Sequence, residues 1–124
     1  MSSERFLHDH HTGTKADLLD VVVCDEAGAG GAQHRYNIQT RGSTPALLQE
    51  IEFQEGAVCE AGVNGVTNEC LLSIVLDRLR SFQLGSHPCR ENAIAITKIE
   101  EALHRLHDRT RDRVSRSVEG TEQA

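Results

Sequence analysis

Two spacings of apolar residues divide this chain. Leu71, Leu72, Val75, Leu79 and Phe82 recur at helical spacing and predict a helix over residues 67–84. Thr67 supplies an N-cap, Cys70 holds the capping-box position, and Glu69 suits the positive end of the helix dipole. Gly85 stops this helix, and Ser86-His87-Pro88 turns the chain. From about Arg90, Ile96, Ile99, Leu103, Leu106, Thr110 and Val114 return every three or four residues, so a second helix runs to about Ser117. Two long amphipathic helices with so short a loop between them form an antiparallel helical hairpin.

The N-terminal half follows a shorter period. Residues 17–24 (DLLDVVVC) are a β-branched run of strand length, and residues 33–40 (QHRYNIQT) alternate polar with apolar. The Gly-rich stretch 26–32 joins them as an antiparallel hairpin. Residues 41–45 make a turn, and residues 47–54 (LLQEIEFQ) give a third strand. Gly56, Gly62 and Gly65 interrupt residues 55–66, which cannot sustain a regular element. The expected organisation is one α+β domain over residues 1–124. It comprises a polar arm (1–16), a small antiparallel sheet (17–56), a Gly-rich connection (57–66), a helical hairpin (67–118) and a tail (119–124).

Composition limits what such a chain can do. Three Phe, one Tyr, one Met and no Trp in 124 residues make a small aliphatic core, which a second copy of the chain often completes. The net charge of −6 argues against a protein that coats DNA or RNA. Arg outnumbers Lys eleven to two, however, and five of those Arg fall within residues 105–116 beside two Asp. Arg forks phosphate better than Lys does, so a small anionic ligand fits this balance. Cys24, Cys59, Cys70 and Cys89 show no Cys-x-x-Cys spacing, and no apolar run is long enough to cross a bilayer. These features predict a reduced cytoplasmic protein with free, mostly buried thiols.

Candidate chemistry gathers between Phe82 and Thr121. Phe82-Gln83-Leu84-Gly85, Pro88-Cys89-Arg90-Glu91-Asn92, Arg109-Thr110-Arg111-Asp112-Arg113 and Val118-Glu119-Gly120-Thr121 combine an aromatic face, amides and guanidiniums. Those side chains hold a nucleotide by stacking, by hydrogen bonds to base or ribose, and by forks on phosphate. Each has a plainer reading. Phe82 closes the hairpin core, Asn92 is a capping amide, and Arg105, Arg109 and Arg113 pair with Glu101, Asp108 and Asp112 along a solvated ridge. The histidines offer less. His8, His10 and His11 have metal-capturing spacing but lie on an arm without a second shell, and His104 and His107 lack a third ligand. His87 and Cys89 would need an orienting group to act as a nucleophile pair. We assign no catalytic residue, metal or cofactor.

Helix rise adds a constraint. Asn92 and Arg109 stand roughly 25 Å apart along one helix at about 1.5 Å per residue. A nucleotide-sized ligand cannot touch both in a single chain, so a shared site must form between subunits.

Further motifs carry a resemblance. His34-Arg35-Tyr36, Phe53-Gln54-x-Gly56, Gly62-Val63-Asn64-Gly65-Val66-Thr67-Asn68-Glu69, Asp77-Arg78-Leu79, Phe82-Gln83-x-Gly85, Arg109-Thr110 and Val118-Glu119-Gly120-Thr121 together resemble the first Thoeris anti-defence family of phages. The likeness covers roughly residues 17–121 and is densest in the hairpin. It implies a sponge, a hexamer built from dimers, that binds cyclic ADP-ribose isomers made by bacterial TIR-domain enzymes without destroying them. It also implies binding of the cyclic di- and trinucleotides of CBASS defence, in the cytoplasm of an infected host. Carried onto this chain, Phe82 stacks on adenine, Asn92 bonds base or ribose, and Arg109 and Arg113 clamp the pyrophosphate, with Gln83, His87 and Arg90 flanking. The loop Gly85-Ser86-His87-Pro88 departs from the family's Gly-Pro-Phe, so loop contacts and ligand preference do not carry over. A cyclic-nucleotide hydrolase and a structural module of a phage particle are the competing classes.

Overall fold

The computed structural model describes residues 4–115 and divides the chain into two compact units, Met1–Gly65 and Val66–Ala124. The fold class is α+β, as the two apolar periods predict. Residues 118–121 and the expected helix end at Ser117 lie outside the described residues.

The first unit is a four-stranded antiparallel meander in the order β1-β2-β3-β4. Its strands are β1 (Arg5–Leu7), β2 (Leu19–Val23), β3 (Arg35–Thr40) and β4 (Leu47–Glu52). The three expected strands are present, β2 trimmed at both ends, β3 at its start and β4 at its end. The first is an addition: the polar arm holds β1, which pairs Arg5, Phe6 and Leu7 with Val23, Val22 and Val21. Two apolar residues are too few to show a period, and the β-branched run of β2 gives them a template. Val22 and Val23 are the buried centre of the sheet. The β3–β4 register shifts between Ile38 and Gln39, which leaves Leu48 as the extra residue and both Leu47 and Leu48 exposed.

The loop from β1 to β2 is largely exposed, as a polar arm would be, but it is tied by hydrogen bonds. The Asp17 carboxylate accepts the backbone N–H of Thr12 and Gly13 and the Thr12 hydroxyl at 2.7–2.8 Å. A His10 ring nitrogen lies 3.0 Å from the Leu19 carbonyl, and the His8 and His11 rings are 5.2 Å apart. The Thr12 backbone N–H, with the other two donors, holds the Asp17 carboxyl down from 3.8 to about 2. A depressed folded value stabilises the loop fully above the unfolded value and loses that effect as pH falls toward 2. The protection of the Thr12 and Gly13 amides, taken relative to the intrinsic exchange rate at each pH, should therefore hold down to about pH 4 and fall below it. Protection that does not change across that range would contradict the network.

The glycine-punctuated connection also holds more order than expected. Val58–Ala61 forms one turn of helix, α1, between Gly56 and Gly62, both at positive φ. Four consecutive residues without glycine suffice for a single turn. The second unit is the predicted antiparallel hairpin of α2 (Asn68–Leu84) and α3 (Arg90–Ser115). Thr67 caps α2 by accepting the Cys70 N–H at 3.2 Å. Leu72, Leu76, Leu79 and Gln83 form the more buried stripe of α2, and Ile96, Ile99, Leu103 and Leu106 that of α3. An Arg80–Glu100 ion pair at 2.8 Å joins the two helices.

The cysteines depart from expectation. All four are thiols, but only Cys24 is partly covered, whereas Cys59, Cys70 and Cys89 are exposed. They sit in a short helix, on the outer side of a first helical turn and in the hairpin loop, where no core is available to cover them.

Candidate functional site

The hairpin tip brings together five of the seven candidate residues: Phe82, Gln83, His87, Arg90 and Asn92. The backbone N–H of Cys89 donates to Gln83 Oε1 at 2.7 Å, which ties the end of α2 to the start of α3. Gln83 is therefore occupied on its acceptor side as a pin of the loop. Cys89 Sγ accepts the Asn92 N–H at 3.4 Å, and the Cys89 carbonyl accepts from Ala93. These contacts begin α3 and leave the Asn92 side-chain amide without a hydrogen bond to the described residues. His87 Nδ1 lies 3.0 Å from Ser86 Oγ, so its ring is engaged within the turn and not with Cys89.

Phe82 lies beside the inward stripe and not within it. Leu79 and Gln83 take the positions facing α3, and the Phe82 ring is 37% exposed. Its plainer role as core closure accounts for only part of its surface. Phe82 thus stays partly open to solvent at the tip, where Arg90 is exposed as well.

Arg109 and Arg113 stand at the opposite end. Both belong to the uninterrupted helix α3, so the separation from Asn92 of about 25 Å follows directly from helix rise. The expected Arg ridge is not uniform. Asp108 gathers Arg111, with Arg105 at 4.0 Å and His104 at 3.5 Å, and the Arg111 hydrogen bond holds its carboxyl below the usual range. Arg113 is buried, at 8% exposed, so it does not stand on an open ridge. Arg109 is exposed and has no ion pair with the described residues. A charged helical stretch gives no sequence signal that one of its Arg is covered.

Sequence reasoning did not anticipate a second concavity, in the sheet unit. A cavity of about 370 Å³ is lined by His34, Arg35, Glu52, Phe53, Glu55 and Asn64. Arg35 pairs with Glu52 at 3.6 Å, and Glu55 lies 3.8 Å from His34 Nδ1. Two carboxylates against one guanidinium make it a poor seat for phosphate. The signal for it was present in the His34-Arg35-Tyr36 and Asn64-Gly65 motifs, which read as family pattern rather than as a cavity wall.

Among the described residues no group of three or more His, Cys, Asp or Glu could hold a metal ion, and no helix is long and apolar enough to cross a membrane. What the hairpin offers is stacking, amide hydrogen bonds and guanidinium charge. Those are the means of a binding protein.

Comparisons with known proteins show the family. Residues 46–111 match the family model described as "Acb2/Tad1, hairpin domain", so the chain belongs to the Acb2/Tad1 hairpin-domain family. The match ends in α3, past Arg109, and includes every tip residue. The chain is also 53% identical over 94 residues to "Thoeris anti-defense 1" of Bacillus phage SBSphiJ7. That alignment covers 76% of this chain and 64% of the relative, so the chain spans less than two thirds of the relative's length.

Proposed function

We propose that this chain is a phage anti-defence protein that binds and sequesters nucleotide immune signals. It holds cyclic ADP-ribose isomers made by TIR-domain enzymes, and cyclic di- and trinucleotides of CBASS defence, without cleaving them, in the cytoplasm of the infected host. The observation that carries this reading is the 53% identity to a Thoeris anti-defence protein in a chain whose hairpin tip exposes the Phe82 ring. In this reading Phe82 stacks on the base and Asn92 bonds base or ribose. Arg109 binds the pyrophosphate, joined by Arg113 once its covered side chain turns toward the ligand, with Gln83, His87 and Arg90 shaping the rim.

The pocket forms between copies of the chain. Asn92 and Arg109 are too far apart along α3 to share one ligand within a protomer, so the tip of one hairpin meets the far end of another. Exposed apolar residues support self-association: in the hairpin unit Ile74, Val75, Leu84, Ile94 and Val114 all face outward, Leu84 at 90%. A hexamer built from dimers is the assembly we propose.

Heat-denaturing the loaded protein and weighing the released ligand tests the absence of cleavage. Cyclic ADP-ribose is expected back at its starting mass after prolonged incubation. A product heavier by one water would mean hydrolysis and overturn the sponge reading.

A further inference from the structure

Phe82 has a companion that the site residues named so far omit. Arg78 lies one helical turn before it, and the Arg78 guanidinium carbon sits 5.0 Å from the Phe82 ring centroid. This is cation–π distance, reached at the i, i+4 spacing that places side chains together on a helix surface. Arg78 is exposed and has no ion pair with the described residues, even though Asp77 is its sequence neighbour. Arg80, two residues on, points the other way and is committed to Glu100 at 2.8 Å. The two arginines therefore do different things. Arg80 staples the helices together, and Arg78 lies on the aromatic ring.

We infer that Arg78 is a positioning residue of the nucleotide site, acting through Phe82. Its guanidinium occupies one face of the ring, leaving the opposite face for a single base. This arrangement restricts the rotation of Phe82 before any ligand arrives, so less side-chain freedom is lost on binding. A cation behind the ring also draws electron density away from it, which reduces repulsion between the phenyl and purine π-clouds. The ligand class is therefore a nucleotide that presents one base per hairpin tip. This inference rests on the reading of Phe82 as the base platform.

The test is calorimetric titration of cyclic ADP-ribose into the full chain and its variants. Arg78→Ala should weaken binding about two- to tenfold, the cost of ordering one more side chain on binding. Arg78→Lys, which keeps a cation over the ring, should recover part of that loss. Because the effect passes through the ring, the loss should be the same at about 50 mM and about 500 mM salt, where direct ion contacts are screened very differently. Arg78 is exposed, so helical content and melting temperature should not change. Unchanged affinity in Arg78→Ala, or a loss that disappears at high salt, overturns the positioning role while the base-platform reading stands. A wild-type chain that binds no cyclic nucleotide overturns the base-platform reading itself, and this inference with it.

Discussion

Phe82→Ala will leave the hairpin folded and remove most of its affinity for adenine nucleotides. The ring is 37% exposed and lies beside the Leu72–Leu76–Leu79–Gln83 stripe, so its loss opens no enclosed cavity between α2 and α3. Stacking of a base on an aromatic side chain is worth about 1–3 kcal/mol by alanine substitution, which is roughly five- to 150-fold in affinity. At ligand about a hundredfold above Kd, the wild-type chain gains about 2.7 kcal/mol of stability and several degrees in Tm. The variant should lose about 0.9–2.4 kcal/mol of that gain and keep its ligand-free Tm within a few degrees. Arg109→Ala should lose it too, with a weaker dependence of binding on salt, because it removes a charge from the phosphate end. A Phe82→Ala chain that keeps the full ligand-induced shift would place the base elsewhere.

Gly65→Ala will destabilise the sheet unit more than most single substitutions. A Cβ on Gly65 would stand 2.3 Å from the Phe53 carbonyl carbon, 2.5 Å from its oxygen and 2.6 Å from the Gln54 nitrogen. These are backbone atoms and cannot move aside by changing rotamer. The contact is locked from the next residue: Asn64 donates to the Glu55 carbonyl at 2.7 Å and accepts the Glu55 N–H at 2.8 Å. Its own N–H donates to Gln54 Oε1 at 2.9 Å. Forcing the strands of this clasp apart should cost about 1–3 kcal/mol for the overpacking, and more if the Asn64 bonds break. Thermal denaturation should show a Tm lower by about 5 °C or more. Gly30→Ala is the control, since a Cβ there would meet nothing and only its positive φ is strained. If Gly65→Ala melts no lower than Gly30→Ala, the close approach does not constrain the fold.

This clasp shows what the sequence could and could not reveal. The Val63-Asn64-Gly65 motif was visible as family pattern, but its physical reason is a backbone approach between segments ten residues apart, which no local period encodes. Local signals did better. Thr67 and the leucine spacing placed α2 at 67–84 against an observed 68–84, because cap and stripe lie within one helix. β1 escaped notice because its pairing partner supplies the order. In the candidate site, helix rise alone separated Asn92 from Arg109, a conclusion that needs only an unbroken helix. The burial of Arg113 was illegible, since its neighbours Arg111 and Asp112 suggest a solvated ridge. The Arg78–Phe82 pair was legible in its spacing, and only the ring contact shows that the two side chains meet.

Intact sites need two chains, and mixing variants tests that claim. At a ligand concentration above the wild-type Kd but below those of the variants, Phe82→Ala and Arg109→Ala chains should each leave most sites empty alone. Co-refolded in equal amounts, they should recover about one quarter of wild-type sites. Random pairing joins a good tip to a good far end that often when each site draws its halves from two protomers. Calorimetric stoichiometry reads this number directly. Recovery near one quarter is the predicted result; a mixture that binds no more than its separate components would contradict a pocket shared between chains.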